Sequence, residues 1–171
     1  MKITQVVKFG SKVLLSRITS KNIPLNIGKN TPTISDNGDY YITCANKSIY
    51  IFNRINKKDI SPSKYIFSFI LSKKQREKRQ WKQGITVKNG YIYVLTGASK
   101  INDKKYLYIY DFYGKEVKHF EIKAGKDLAI KEKGKWELEG LTFKNNSLYT
   151  TVMSGQDGHN THRLYKILTI D

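Results

Sequence analysis

The chain has 171 residues, 39% of them hydrophobic, so it can bury the core of one ordinary domain and is not a wholly disordered chain. It carries 31 Lys and Arg against 14 Asp and Glu, and this formal charge of +17 favours a polyanionic partner such as nucleic acid, anionic lipid or a cell-wall polymer. One cysteine excludes an internal disulfide, and no apolar run is long enough to span a membrane.

The predicted elements are short β-strands separated by turns. Alternation of β-branched and aromatic residues with polar ones predicts strands, in chain order, at residues 48–53, 64–71, 91–97, 106–112 and 147–153. The opening stretch, 3–18, is interpreted as the end, or a poor copy, of a repeat unit. The turn signals "DNGD", "KNG" and "KNN" supply residues that accept the positive φ of tight hairpins. Evidence for helices is thin, because the candidate at 71–80 lacks an apolar stripe.

A repeat organises these strands. The stretch "QGITVKNGYIYVLTGA" (83–98) aligns without a gap with "EGLTFKNNSLYTTVMS" (139–154), at an offset of 56 residues. The unit at 83–122 has four predicted strands, at about 84–88, 91–97, 105–112 and 116–122. The unit at 139–170 has the first three, and a weaker copy lies at 32–60.

The repeat predicts an all-β fold, a β-propeller-like array of about three to four four-stranded blades. The blades fall within a single domain, 1–171, with units at roughly 1–30 (partial), 31–75, 81–125 and 136–171. Closed propellers typically have about four to eight blades. The chain is therefore predicted to be a truncated or incomplete propeller, or one completed by self-association.

The repeat units share the form "[E/Q]-G-[I/L]-T-x-K-N", then "x-Y-x", a variable loop and "L-Y-x-[Y/I]". The segments that carry it are "WKQGITVKNGYIYVLTG", "YLYIYDFYGKEV" and "WELEGLTFKNNSLYTTVMSG…RLYKI". They resemble the propeller shared by helveticin J-type class III bacteriocins, a teichoic-acid-operon protein of Gram-positive bacteria and certain phage receptor-binding proteins. The resemblance covers residues 81–171 and, more loosely, 30–60. It implies a propeller acting at bacterial envelopes, where bacteriocin members kill related bacteria and phage members grip wall polymer.

Gln83 and Glu139 precede the first strand of their units, which in a propeller places them in or near the central channel. One hypothesis is a polar ring holding a ligand or a hard cation, as in gluconolactonase-type propellers, where a Glu of such a pair is a metal ligand. The alternative is structural: the side chain bonds a backbone N–H of the next unit, beside a Gly that allows close approach. The single carboxylate favours the structural alternative.

The stretch "SGQDGHNTHR" (154–163) is predicted to be a loop between two strands of the last unit. It contains three candidate ligand-binding residues, Asp157, His159 and His162. The His-x-x-His spacing is a weak metal signal on an irregular loop, so the alternatives are a polar ligand contact and a plain connection.

The run "KKQREKRQWK" (73–82) is the densest basic cluster. It predicts a polyanion contact formed by Lys73, Lys74, Arg76, Lys78 and Arg79. Trp81 either stacks on a sugar or base, or packs between units, as is expected of Trp136 at a similar point. The second basic stretch, 123–135, occupies a matching position between units, so both are predicted to lie on one face.

These features predict a bacteriocin-like, envelope-directed binding protein that adheres to anionic cell-wall glycopolymer such as teichoic acid. Lys and Arg would capture the polymer, and Tyr and Trp would offer flat surfaces to its sugars. No catalytic signature is present, so the chain is not predicted to be an enzyme. The alternatives are a lactonase or lyase with a cation in the channel, and a non-specific nucleic-acid binder, for which no motif is recognisable.

The remaining predictions concern cofactor and location. No cofactor is predicted, and a structural cation is left open. The N-terminus has only a short apolar run, which is too weak for a signal peptide. The protein is predicted to be secreted or surface-associated by a route without a recognisable signal, with a cytoplasmic location as the alternative. A purely compositional origin of the charge, from a chain rich in Lys, Asn and Ile, is also left open.

Overall fold

The chain folds into separate antiparallel β-sheets. A computed structural model describes residues 5–9, 12–16, 30–34, 40–45, 48–53, 67–70, 82–156 and 158–167. These residues form four antiparallel sheets and one short α-helix. The predicted all-β class is confirmed, whereas the arrangement of the sheets as a propeller stays a prediction.

The first sheet is a hairpin near the N-terminus. Its two strands are β1 (Gln5–Phe9) and β2 (Lys12–Ser16). They pair from Gln5 opposite Ser16 to Phe9 opposite Lys12. The stretch 3–18, interpreted as the end or a poor copy of a repeat unit, thus contains two paired strands.

Sheet I contains the weak repeat copy predicted at residues 32–60. Its strands, in spatial order, are β3 (Asn30–Ile34), β4 (Tyr40–Ala45), β5 (Ser48–Asn53) and β6 (Phe67–Ile70). Pro32 lies in β3, opposite Thr43. Because β3 is an edge strand of this sheet, the missing N–H of proline breaks no central ladder.

Sheet II corresponds to the strongest predicted unit. Its strands pair in chain order and are β7 (Lys82–Lys88), β8 (Tyr91–Thr96), β9 (Lys105–Asp111) and β10 (Glu116–Ile122). Asn89 and Gly90 connect the first two strands with φ angles of 49° and 76°, the conformation that a two-residue hairpin requires. The four predicted strands are confirmed within two residues at each end.

Strands β7 to β9 of sheet II are largely buried on both faces. One face packs on sheet I through Ile42, Ile49, Ile51, Ile85, Val87, Ile92, Val94, Tyr108 and Tyr110. The other face packs on sheet III through Leu95, Leu107, Ile122, Ala129, Trp136, Leu138, Leu148 and Val152, one of them from the helix. Sheet II is thus the middle layer, and its near-continuous apolar runs reflect burial on two sides.

Sheet III has three strands among the described residues. They are β11 (Lys135–Lys144), β12 (Ser147–Gln156) and β13 (His159–Ile167), paired in chain order. Asn145 and Asn146 form the first turn with φ angles of 47° and 64°. Asn accepts this left-handed conformation better than most residues, so the "KNN" turn prediction is confirmed.

The prediction of a loop at residues 154–163 was wrong. Strand β12 continues to Gln156, which pairs with His159 at the start of β13. Only two residues connect the strands, and the second of them, Gly158, has a φ of 85°. The polar residues suggested a loop, but "DG" is a two-residue hairpin signal, and an edge strand tolerates polar side chains on its exposed faces.

The α-helix, α1 (Lys126–Lys131), lies in the stretch predicted to be a basic linker. At six residues it is too short to show an apolar stripe, and of its side chains only Ala129 is buried. Its C-terminus is closed by hydrogen bonds from the backbone N–H of Lys133 to Ile130 and from that of Gly134 to Ala129, as in a Schellman motif. Among the described residues no helix has the length and apolarity to cross a membrane.

Sheets II and III stack with equivalent positions side by side. Gly84 of β7 lies against Gly140 and Leu141 of β11, and Lys88 lies over the ring of Phe143, with 5.4 Å from its Nζ to the ring centroid. Both strands therefore run in the same direction across the interface. The 56-residue repeat thus corresponds to one step of this stack.

We predict that Gly84→Ala destabilises the protein by about 1–3 kcal/mol, the usual cost of overpacking. A Cβ at this position would lie 3.0 Å from backbone atoms of Gly140 and Leu141, which cannot move without shifting β11. Urea unfolding measures the effect. Gly90→Asn is the control, because no atom lies within 4 Å of a Cβ there and Asn accepts positive φ. Equal unfolding midpoints for the two variants would contradict the assigned packing.

Candidate functional site

The repeated Gln-Gly and Glu-Gly pairs form β-bulges. The pairing of β7 with β8 shifts between Lys82 and Gly84, and that of β11 with β12 shifts between Glu139 and Leu141. Gly140 has a φ of 76°, which suits a bulge with glycine in the left-handed conformation. The pair therefore recurs because each unit's first strand needs a bulge and, at Gly84, a close approach of backbones.

Gln83 contacts the next sheet. Its Nε2 donates a hydrogen bond to Oε1 of Glu137 at 2.6 Å, and a longer one to the carbonyl of Gly97 at 3.5 Å. The structural alternative expected a bond to a backbone N–H of the next unit, but the partner is a side chain. Gln83 is thus engaged in joining sheets II and III.

Glu139 and His162, two of the predicted site residues, lie together. Oε2 of Glu139 is 3.5 Å from Nδ1 of His162, and both side chains are about half exposed. His159 is three residues earlier on the same strand, so it points to the opposite face. The two His residues of the His-x-x-His spacing therefore do not converge on one ion. The described residues contain no group of three or more His, Cys, Asp or Glu that could hold a metal.

The strongest predicted basic cluster cannot be placed. Lys73, Lys74, Arg76, Lys78, Arg79 and Trp81 lie outside the described residues, and so does Asp157. The strands on either side of the basic run are β6, which ends at Ile70, and β7, which begins at Lys82. The run therefore connects sheets I and II, as residues 123–134 connect sheets II and III.

The connections of sheets II and III lie at two ends. We call one the loop end; it carries residues 97–104, 123–134 and 157–158. The other, the hairpin end, carries residues 89–90, 112–115 and 145–146. The loop end therefore contains the longer connections, among them the basic stretch 123–135.

A buried lysine organises the loop end. Nζ of Lys105 donates hydrogen bonds to the carbonyls of Ala98 at 2.5 Å, Lys100 at 3.2 Å and Asp103 at 3.3 Å. The ammonium lies 4.2 Å from the ring centroid of Trp136, and the residue is fully buried. Burial lowers the pKa of Lys105 to about 8, against the opposing effects of nearby carboxylates.

Lys105 was not predicted from the sequence to be a buried residue, although the strand pattern around it indicates burial. In "KYLYIYD" the alternation places Lys105 in phase with Leu107 and Ile109, which are both buried. A lysine on the buried face of a strand must find acceptors, and here the preceding loop supplies carbonyls.

Trp136 joins the two long connections. Its backbone N–H donates to the carbonyl of Ser99, and its indole Nε1 donates to the carbonyl of Ala124, both at 2.9 Å. The side chain is 1% exposed. The interpretation of Trp136 as a residue that packs between units is confirmed, and its ring is not available for stacking on a ligand.

A charged network fixes the end of α1 to sheet III. Arg163 donates from Nη2 to Oε1 of Glu132 at 2.8 Å and from Nη1 to Oγ of Ser154 at 2.5 Å. Ser154 in turn donates to Oε2 of Glu132 at 2.7 Å. These contacts, first the Ser154 hydrogen bond and then Arg163, hold the pKa of Glu132 below its ordinary value. The Glu132 charge is thus matched within the protein.

The predicted pairing of basic and aromatic side chains on one surface is not found in the described residues. The two exposed tyrosines are Tyr91, 41% exposed, and Tyr113, 84% exposed. Both lie at the hairpin end, whereas residues 123–135 lie at the loop end. The other tyrosines whose side chains the structure describes, a set without Tyr40, Tyr41 and Tyr65, are buried or half-buried in the sheet faces.

The pKa of Lys105 predicts a pH dependence of stability. Between pH 8 and 10.5 the unfolded chain holds a proton on this amine that the folded protein has lost, so stability rises with pH in this window. Relative to Lys105→Met, we expect the wild-type free energy of unfolding to gain about 1–2 kcal/mol from pH 7.5 to 9.5. Urea unfolding of both proteins at the two pH values measures it.

The exposed neighbour Lys104 provides the control, because Lys104→Met should leave the pH dependence unchanged. Measurements stay below pH 10, because burial raises the pKa of Tyr108 to about 12. Above pH 10 the unfolded chain loses the tyrosine proton that the folded protein keeps, so this group removes stability there. Parallel curves for wild type and Lys105→Met would contradict a buried, proton-losing amine.

The fold has a structural relative among phage proteins. No protein-family model matches the chain, and no curated protein matches it. Among solved structures, the tail fiber of Staphylococcus aureus phage P68 is similar, with a TM-score of 0.64 and 22% sequence identity. The match covers 89% of this chain and 31% of that chain, so this protein spans about a third of the tail fiber's length. The chain therefore shares an all-β fold with part of a phage tail fiber.

Proposed function

We propose that this protein is an envelope-directed binding module that adheres to an anionic bacterial glycopolymer such as teichoic acid. The likeness to a phage tail fiber carries the proposal. It agrees with the resemblance of the repeat units to propellers of phage receptor-binding proteins and helveticin J-type bacteriocins. Both lines point to attachment at a bacterial surface.

The charge distribution supports a polyanionic ligand. Residues 1–81 hold 16 Lys and Arg against 4 Asp and Glu. In the C-terminal half, residues 123–135 hold five lysines against two carboxylates, and the carboxylate of Glu132 is paired with Arg163. A polymer with one negative charge per repeat can contact several such lysines at once, which multiplies weak individual contacts.

Bacteriocins kill their target cells, and in this proposal any killing would be a consequence of attachment. The chain matches less than a third of the tail fiber chain. No described residue is therefore assigned a role in killing, and the proposal is confined to binding.

We predict that the purified protein sediments with intact Gram-positive cell walls at near-physiological salt. Binding should fall strongly after chemical removal of teichoic acid, because the polymer supplies the negative charge. Raising the salt should weaken binding gradually, since exposed charges are screened over about 8 Å at 0.15 M ionic strength. The measurement is the bound fraction in a pull-down with treated and untreated walls.

An unrelated basic protein of similar charge serves as the control for non-specific adhesion. Binding that ignores removal of the polymer, or that disappears as soon as salt is added, would overturn the proposal. So would equal retention of the unrelated protein, since the charge of +17 would then act without any contribution from the fold.

A further inference from the structure

We infer that the protein contacts the polymer's phosphodiester backbone through a lysine platform at the loop end of sheets II and III. The platform comprises Lys123, Lys126, Lys131, Lys133 and Lys135. The inference rests on the proposed function and adds to it a surface and a ligand chemistry, a flexible chain of polyol phosphates without bases.

The platform is held on a rigid base. Trp136 fixes the carbonyl of Ala124 at its start, and Glu132 is bound by Arg163 and Ser154 at its end. Gly134 packs so closely on the backbone of Gly155 that a Cβ has no space there. The backbone of this segment is therefore held in place, so binding of a ligand orders only the lysine side chains and loses less entropy.

Lys133 occupies a position that favours glycine. Its φ is 51°, and it follows α1 at the point where the Schellman motif places a left-handed residue. The other non-glycine residues of positive φ in the described part of the chain are Asn89, Asn145 and Asn146. A lysine here carries backbone strain that glycine would avoid. Such a departure from local preference is expected where the side chain has a function.

The charge of the platform is directed outward. Lys123, Lys131, Lys133 and Lys135 are exposed, and Lys126 is half-buried with its Nζ 5.5 Å from the Trp136 ring centroid. The carboxylates of the same segment are Asp127 and Glu132, and Glu132 is neutralised by Arg163. The platform therefore presents a local excess of positive charge to solvent.

The chemistry favours phosphates over bases. Proteins that bind single-stranded nucleic acid combine a basic groove with exposed aromatic rings. Within residues 82–167, as far as the structure describes them, the exposed tyrosines lie at the hairpin end and Trp136 is buried. All five platform residues are lysines, whose flexible point charges can follow phosphates of irregular spacing. A polyol-phosphate chain offers such charges and needs no stacking surface.

The test compares two triple variants with equal loss of charge. Lys123→Gln/Lys131→Gln/Lys133→Gln alters the platform, and Lys115→Gln/Lys144→Gln/Lys166→Gln alters exposed lysines away from the loop end. Affinity for a synthetic glycerol-phosphate oligomer is measured by titration calorimetry at several NaCl concentrations. Circular dichroism checks that both variants keep the fold.

We expect the platform triple to bind at least about 10-fold more weakly at 0.15 M salt. The slope of log K against log salt should fall by about 2, which is the loss of three phosphate contacts at about 0.7 each. The matched triple should change the affinity less than about 3-fold, because long-range effects of net charge are screened at this ionic strength.

The outcomes separate the platform from the proposed function. Equal weakening by both triples would overturn the platform while leaving wall binding intact. Wild-type protein that binds neither the oligomer nor cell walls would overturn the proposed function itself. Single-stranded DNA that binds the wild type as tightly as the oligomer, and loses as much affinity in the platform triple, would overturn the assigned ligand class.

Discussion

Backbone contact at Gly84 sets how closely sheets II and III approach. A side chain there would push the two first strands apart, and the polar contact between Gln83 and Glu137 depends on their separation. Trp136 lies just before Glu137 on the same strand, so the joining of the long loops depends on the same spacing. A single small residue thus connects the repeat seen in the sequence with the geometry of the loop end.

Much of the fold could be predicted, because strand alternation and turn chemistry are local. Sheet II follows the predicted strands closely, since "KNG" fixes its first hairpin and burial on both faces leaves a strong apolar pattern. The hairpin between β12 and β13 was predicted wrongly because polar residues dominate it. The helix was missed because its ends are fixed by backbone hydrogen bonds and its one buried side chain leaves no pattern.

The site was harder to predict, because it depends on contacts between residues distant in the chain. A special backbone position at the Gln83–Gly84 and Glu139–Gly140 pairs could be anticipated from the repeat, but the partner of Gln83 could not. Lys105 resembles a surface lysine by composition, and only its phase in the strand indicates burial. The exposed tyrosines lie at the hairpin end and the basic stretch at the loop end, and this separation becomes apparent only when the strands are arranged in their sheets.

The position of sheet II between two neighbours has a consequence for how the molecule opens. A stack of units behaves as a one-dimensional series, in which a layer with two interfaces is held more firmly than one at the end of the series. Among the described residues, sheet III packs on one other sheet, and its Leu164 is 68% exposed. It should therefore fray before sheet II and exchange its amide hydrogens sooner. Because Arg163 ties α1 to sheet III, fraying of this sheet would release the lysine-bearing segment. A bound polymer would in turn oppose this fraying.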